Sequence, residues 1–304
     1  TPGTVVEPGL LPGPANNYLA ALTLDADRAG LAYCDITTGE FAAAQFSAPD
    51  LLAALRNELS RLNPAEVLLP QRLAAAVPPL SGHRTVVPDA RFDPARAESD
   101  LRAHFGVATL AGYGLAGKPL AAAAAAAILA YIRETQPAAL SLLGGLRSYT
   151  LDEFMTLDAA TRRNLELTET LRGGGVKGSL LGVLDTAVTP MGRRLLGQWI
   201  NQPLLDKGRI EERLDGVGFF FEQGLLRAEL RAALKPLADL ERLTNRTAGR
   251  SATPRDLAVL RETLRVLPGI LTLLGDSPLP LLGEGPGVRA LDPCPDLLSL
   301  LAAA

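Results

Sequence analysis

The chain has 304 residues, 47% of them hydrophobic, and a formal net charge of −3. This length allows about two domains, and the near-neutral charge excludes a strong global field that would attract nucleic acid. Cys34 and Cys294 lie far apart and outside any CxxC motif, so we expect no disulfide framework, no zinc site and a reducing, cytoplasmic location. No run of residues is long and apolar enough to suggest a membrane span.

The first third of the chain has the pattern of an α/β domain. Residues 1–16 are rich in proline and glycine and predict a linker. Short apolar runs joined by tight turns then predict an antiparallel meander of three strands. An amphipathic helix that begins at Asp50, two further strands and a second helix complete an α/β unit over residues 17–117. The predicted strands are 18–24, 31–36, 41–46, 67–69 and 85–87, and the predicted helices are 50–62 and 97–105.

The remainder of the chain is predicted to be helical. Residues 118–148 predict a linking helix, rich in alanine, and a loop with a short strand. Residues 149–304 predict an incomplete helical domain, and the Pro/Gly-rich tail at 275–295 is followed by the start of another helix. Because the chain begins with Thr1 and ends within a helical pattern, we expect a fragment of a longer protein. Further predicted helices are 158–171, 225–234, 237–247 and 255–267.

The stretch 178–217 is the most strongly patterned part of the chain. Thr189 and Pro190 suit the N-cap and first position of a helix. Apolar residues at helical spacing, including Trp199, indicate one buried face, with Trp199 as a core anchor. Pro203 then interrupts the pattern, and Asp206 can cap a second helix. The stretch therefore predicts two helices joined by a sharp corner, with no catalytic group.

Two motifs imitate catalytic sites. The sequence Gly112-Tyr-Gly-Leu-Ala-Gly-Lys-Pro satisfies the spacing of a phosphate-binding P-loop, but Pro119 stands where a Ser or Thr would bind magnesium. We therefore predict a loop that leads into a Pro-started helix. A ribonuclease-H-like nuclease would need a cluster of carboxylates to hold two Mg²⁺ ions. The candidates are Asp25, Asp27, Asp35, Glu58 and Glu66, and we favour a structural role for them.

The remaining polar motifs favour structural roles. Arg242, Arg246 and Arg250 recur at every fourth residue and would form a basic stripe if one helix carried all three. Nearby acidic residues favour a salt-bridged face or a domain contact over a DNA contact. His83, His104 and Cys34 lack the partners of a catalytic site. The Phe220-Phe221-Glu222 triplet lies in an apolar run and is interpreted as packing.

An ordered series of short stretches resembles one family, the MutS DNA mismatch-repair proteins. It includes Asn-Asn-Tyr-Leu-Ala-Ala at 16–21, Asp-Leu-Glu-Arg at 239–242 and Pro-Arg-Asp-Leu at 254–257. The other stretches are 30–41, 131–136, 157–167 and 178–217. The match covers nearly the whole chain in the order of the family.

The resemblance implies a fold and a set of missing parts. Residues 17–117 would be the connector domain, with a ribonuclease-H-like fold and no nuclease function, and residues from 149 the helical core, or lever, domain. The mismatch reader, the DNA clamp and the ABC-type ATPase would lie outside this chain. The resemblance therefore implies no catalytic, cofactor-binding or metal-binding residue here, with ATP and Mg²⁺ used by the parent protein.

The resemblance also implies a role and partners. The segment would couple the nucleotide state of the ATPase to the reader and the clamp. Its hinges would lie at Gly173, Gly174, Gly175 and Pro203. The parent would bind mismatched DNA and form a homodimer, and its connector would offer a surface to MutL. The fragment itself would be monomeric and would not bind membranes. Two alternatives remain: a Mg²⁺-dependent nuclease using Asp25 and Asp35, and a MutS paralogue outside mismatch repair.

Overall fold

A mixed β-sheet with helices on both faces is followed by a series of helices. The computed structural model describes residues 2–5, 16–75 and 82–275. The strands in these ranges are β1 (Leu19–Leu24), β2 (Ala29–Asp35), β3 (Glu40–Phe46), β4 (Glu66–Pro70), β5 (His83–Val87) and β6 (Arg147–Ser148). The helices are α1 (Leu51–Leu62), α2 (Pro94–Phe105), α3 (Pro119–Thr135), α4 (Ala159–Asn164), α5 (Leu180–Leu184), α6 (Pro190–Asn201), α7 (Lys207–Glu222), α8 (Gly224–Leu234), α9 (Leu240–Ala248) and α10 (Pro254–Gly275).

The sheet confirms the predicted antiparallel meander. Its order across the described residues is β5-β4-β1-β2-β3-β6. β1, β2 and β3 pair antiparallel, whereas β4 lies parallel to β1, β5 parallel to β4, and β6 parallel to β3. Parallel neighbours need crossover connections. The connection from β1 to β4 includes α1, and the connection from β3 to β6 includes α3. The short strand predicted before residue 151 is therefore β6, on the edge of this sheet.

Alternate residues of the central strands point to opposite faces, and both faces are buried. Leu19 and Cys34 lie in a core formed with α2 and α3, and Leu22 and Tyr33 lie in a second core formed with α1. A sheet covered on both sides has near-continuous apolar strands. This explains why β2 is buried along its whole length.

Helix α3 is part of the sheet's core. Its residues Ala121–Ala127 are all buried, and the small side chains let the helix approach β2 closely. A Cβ atom on Gly30 would lie 2.2 Å from the carbonyl oxygen of Leu120. Leu120 N also donates to the side chain of Gln45, at 2.8 Å. The predicted linking segment 118–148 is therefore packed on the sheet, and the domain boundary at residue 117 stays a prediction.

The predicted helix caps are confirmed where side chains accept backbone hydrogen bonds. Asp50 accepts from Ala53 N, Thr189 from Gly192 N, and Asp206 from Arg209 N. The prediction of one helix over 158–171 is wrong, because α4 ends at Asn164. Glu166 has a φ of +47°, a left-handed conformation that interrupts an α-helix.

The apolar faces of α6 and α7 are largely exposed. Trp199 is 39% exposed and stacks under the Arg213 guanidinium, 4.0 Å from the ring centre, so its predicted role as a core anchor is wrong. Within the Phe220-Phe221-Glu222 triplet, Phe220 is half-buried and packs edge-to-face on Phe219, whereas Phe221 is 78% exposed, so the packing interpretation holds for Phe220 and not for Phe221. A small core of Leu243, Leu260 and other residues joins α9 to α10.

The predicted tail at 275–295 lies outside the described residues from residue 276 onward, as do the helical pattern after it and most of the predicted linker. In the described part of the chain, no helix has the length and apolar character needed to cross a membrane. Helix α9, for example, has nine residues, is capped by Asp239 and carries both apolar and charged side chains.

Candidate interdomain junction

The helical corner predicted around Pro203 lies beside the chain that leaves the sheet. Met155 N donates to the carbonyl oxygen of Pro203 at 2.8 Å, and Leu205 N donates to Glu153 O at 3.3 Å. Phe154 and Leu204 complete an isolated antiparallel bridge between these contacts. The corner between α6 and α7 is therefore attached by its backbone to the segment that connects it to β6.

Arg162 on α4 reinforces the same contact. Its Nη1 donates to Asn201 Oδ1 at 3.0 Å, its Nη2 to Asn201 O at 2.9 Å, and its Nε to Leu157 O at 3.1 Å. The guanidinium thus binds the last residue of α6 with two parallel donors, an arrangement that fixes orientation. α4 in turn contacts α1 of the α/β domain. The corner is connected to the sheet through both its backbone and α4.

The segment that leaves the sheet is held by a buried ionic network. Tyr149 donates its hydroxyl hydrogen to Glu58 on α1 at 2.8 Å, and Arg61 Nε donates to the same carboxylate at 2.8 Å. The Arg61 guanidinium also lies 6.0 Å from the ring centres of Tyr33 and Tyr149. Burial lowers the pKa of Arg61, but hydrogen bonding and attraction to Glu58 outweigh it, and the pKa is raised.

A second contact joins α9 to the turn between β2 and β3. Asn245 Nδ2 donates to Ile36 O at 3.2 Å. Gly39 in this turn has a φ of +78°, and a Cβ atom there would lie 2.9 Å from Asn245 Nδ2 and 3.0 Å from Leu142 O. Only glycine meets both demands without strain. The turn is therefore shaped to receive α9.

The predicted basic stripe is not continuous, because α9 ends at Ala248. Arg250 is exposed and has a φ of +56°. Arg246 binds Asp256 on α10 at 2.6 Å, and Arg242 Nε lies 3.8 Å from Asp239. Their assignment to a domain or DNA contact stays a prediction.

The predicted hinge glycines lie in a tight loop between α4 and α5. Gly173 and Gly174 have φ values of +100° and +62°, and a Cβ atom on either, or on Gly175, would meet nothing within 4 Å. The loop closes on itself through Thr170, whose N donates to Gly175 O at 2.9 Å. The geometry permits the backbone to move there, and the hinge role itself remains a prediction.

The carboxylates considered for a nuclease are dispersed over the domain. Asp35 is buried and accepts hydrogen bonds from Thr37 and from the amide of Asn17. Burial raises the pKa of Asp35, and these hydrogen bonds oppose the shift. Asp25 is ion-paired with Arg28 at the surface. Among the residues that the structure describes, no group of three or more His, Cys, Asp or Glu could hold a metal ion.

Glu66 has a separate set of partners. Its carboxylate accepts hydrogen bonds from Gly3 N at 2.9 Å, Thr85 Oγ1 at 2.6 Å and the Tyr131 hydroxyl at 2.6 Å. The role of Glu66 in this structure is to hold the sheet, α3 and the first residues of the chain together.

The loop that imitates a phosphate-binding motif has its own internal partners. Lys118 Nζ donates to Ser148 Oγ at 2.6 Å, and Pro119 occupies the first turn of α3, as predicted. The residues before the loop form turns in place of the buried strand that a P-loop requires. His104 contacts Leu143 O at 2.9 Å, and His83 is exposed on β5.

Comparison with known proteins gives the same division into two parts. Residues 17–144 match the family model of MutS domain II, and residues 160–302 match that of MutS domain III. A DNA mismatch repair protein MutS of Symbiobacterium thermophilum is 48% identical over 282 residues, covering 91% of this chain and 32% of that protein. That of Roseiflexus castenholzii is 43% identical over 319 residues, covering 91% and 29%. That of Dehalococcoides mccartyi is 40% identical over 312 residues, covering 100% and 35%.

An α/β domain contacts the helices at two places, where α4 meets α1 and where α9 meets the β2–β3 turn, so the chain is of a multidomain class whose two parts share an interface. The chain belongs to the MutS family and carries its domains II and III. It spans about a third of the length of the curated relatives it matches.

Proposed function

We propose that this chain is the connector and the first part of the lever of a DNA mismatch-recognition protein, and that it transmits conformational change between other domains. The observation that carries the proposal is the attachment of the α6–α7 corner to the chain leaving the sheet, through Met155–Pro203 and Arg162–Asn201. Transmission requires an element with two arrangements that distant sites favour differently. A corner held by a few polar contacts is such an element.

The connector assignment is supported by the topology of the sheet. An antiparallel meander followed by two parallel strands on the β1 side gives the order β5-β4-β1-β2-β3, with β6 added at the β3 edge. This arrangement supports the ribonuclease-H-like fold that the family resemblance implies. We therefore propose that fold for the α/β domain. Its carboxylates serve other partners, as Glu58 and Glu66 show, and this favours a connector over a nuclease.

The parent protein, by this proposal, is cytoplasmic and acts as a homodimer. It would recognise mismatched DNA through its reader and clamp, use ATP and Mg²⁺ in its ATPase, and bind MutL through the connector. The exposed apolar faces of α6 and α7 support a chain that works within a larger assembly, since apolar surface of this kind marks contact sites.

The hinge proposal predicts a change of distance across the corner. In the full-length parent, spin labels at Ala95→Cys on α2 and Glu211→Cys on α7 are expected to give different distance distributions in the nucleotide-free and ATP-bound states, measured by double electron–electron resonance. Labels at Ala95→Cys and Arg56→Cys, both within the α/β domain, are the control and should report one distance. Identical distributions for the first pair in both states would refute transmission through Pro203 and the glycine loop.

The chain alone is expected not to hydrolyse ATP. The Lys118 amine is bound to Ser148, and Pro119 has no hydroxyl to bind magnesium. Phosphate release should equal the buffer background both in the unmodified chain and in Lys118→Ala. Turnover that Lys118→Ala abolishes would establish a P-loop and contradict the proposal.

The chain alone is expected to bind DNA weakly and without preference for a mismatch. Its charge is −3, and the cations of α9 that were considered for DNA lie close to carboxylates. A dissociation constant above about 1 μM at physiological salt is expected, as for non-specific binding. Fluorescence anisotropy with matched and mismatched duplexes measures it, and tight mismatch-selective binding would place the reader in this chain.

A further inference from the structure

A cavity of about 390 Å³ lies between α9 and the α/β domain. Ile36, Ala138 and Leu142 form an apolar wall on the side of the sheet. Arg246 and Ser251 contribute polar groups on the side of α9. A few polar groups converging on an apolar cleft of this size are typical of small-molecule sites, which also occur preferentially between domains.

One polar group in this cavity has no acceptor among the described residues. The Nε of Arg246, a residue that lines the cavity, is buried without a hydrogen-bond partner, although Nη2 of the same side chain binds Asp256. A buried donor without an acceptor is unfavourable by roughly 1–3 kcal/mol. An acceptor oxygen supplied by a ligand would relieve that deficit.

The charges around the cavity favour an acidic ligand over a basic one. Arg242 and Arg246 both line the cavity, with Asp239 near Arg242 and Asp256 paired with Arg246 outside the lining. Asp239 lines it as well, but its two oxygens already accept hydrogen bonds from Arg194 at 2.6 and 2.8 Å. A carboxylate facing guanidinium groups makes charge-assisted hydrogen bonds, which are stronger than neutral ones.

We propose that this cavity binds a small organic acid with a flat apolar body. The apolar part would lie against Ala138 and Leu142, and the carboxylate would accept from Arg246. Because the walls come from both parts of the chain, such a ligand binds most tightly when α9 is docked on the sheet. It would therefore stabilise the docked arrangement by its differential affinity. The site does not depend on the proposed transmission, since binding is measured on this chain alone.

The test uses 2-naphthoate as the probe and naphthalen-2-ylmethylamine as a cation of similar shape. Saturation-transfer NMR and calorimetry on the chain are expected to give a dissociation constant on the order of 1 mM for the acid, in line with the affinity of small ligands. The amine is expected to bind at least about tenfold more weakly. Equal affinity for the acid and the amine, or no saturation transfer from the protein at millimolar concentrations of the acid, would overturn the proposal.

Substitutions locate the probe within the molecule. Ala138→Phe fills the cavity from an exposed position and should weaken naphthoate binding at least about tenfold, whereas Ala95→Phe on the exposed face of α2 should leave it unchanged. Arg246→Met should weaken binding, whereas Asp256→Asn, which breaks the same ion pair and retains the guanidinium, should not. Binding insensitive to Ala138→Phe would assign the probe to another surface, such as the exposed face of α7, and refute the site.

Discussion

Replacement of Glu58 by alanine is expected to lower the free energy of unfolding of the α/β domain by about 3–5 kcal/mol, because it leaves a buried charge without its partner. The Arg61 side chain is only 9% exposed, and Glu58 is its ion-pair partner. The Tyr149 hydroxyl also loses its acceptor. Urea unfolding followed by circular dichroism, with hydrogen exchange of the β1–β3 amides to assign the change to this domain, measures the loss.

The matched control is an exposed ion pair of the same chemistry. Lys207 and Glu211 lie 3.5 Å apart on the surface of α7, with side chains 87% and 58% exposed. Glu211→Ala should change the free energy of unfolding by no more than about 0.5 kcal/mol, since solvent screens such pairs. If Glu58→Ala and Glu211→Ala had equal effects, the network around Tyr149 would not hold the chain that leaves the sheet.

The structural role of Glu58 could not be predicted from the sequence. Along the sequence it is an acidic residue on an amphipathic helix, and it was a candidate for a metal site. Its partner Tyr149 lies 91 positions later, on the far side of two helices, and no local pattern joins the two. Only the crossover of the chain to β6 brings them together.

The elements that depend on local physics were predicted from the sequence. Short apolar runs joined by tight turns predicted β1, β2 and β3. Short polar side chains before periodic segments predicted the starts of α1, α6 and α7, because the cap hydrogen bond forms within three residues. The family resemblance predicted a MutS fragment, which the matches to MutS domains II and III confirm, whereas the predicted domain bounds stay predictions.

The elements that depend on distant contacts were not predicted correctly. The stretch 158–171 has the composition of one helix, but the bend at Glu166 lets Leu180 N donate to Glu166 O, a contact that closes the glycine loop. Trp199 has the spacing of a core residue, and spacing identifies an apolar face without saying what covers it. Arg250 follows Arg246 by four residues, but α9 ends at Ala248, so Arg250 does not lie on the helix that carries Arg246.

The junction follows from these same long-range contacts. The signals present in the sequence were Pro203 as a corner and the tight turn predicted between the runs 31–36 and 41–46. Neither indicated that the corner would bind residues 153–155 or that the turn would receive Asn245. A glycine in a turn is the one sign in the sequence of such a contact, because a partner can approach where no Cβ is present. The sequence does not identify that partner, which only the fold shows.

Replacement of Gly30 by alanine is expected to destabilise the α/β domain by about 3 kcal/mol, at the upper end of the range for overpacked cores. The added Cβ would lie 2.2 Å from Leu120 O and 2.3 Å from Leu120 C, so backbone rather than a movable side chain meets it. α3 cannot shift freely, because Leu120 N is bonded to Gln45 on the neighbouring strand. Thermal and urea unfolding of the variant measure the loss.

Gly216 on α7 provides the matched control for this substitution. A Cβ atom there would meet nothing within 4 Å, and the residue lies inside a helix, so Gly216→Ala should raise stability by up to about 1 kcal/mol. The same chemical change is thus expected to have opposite signs at the two positions. Equal stability of Gly30→Ala and the unmodified chain would mean that α3 is not packed against β2 as closely as the structure shows. The alanine run 121–127 would then be explained by its high helix propensity alone.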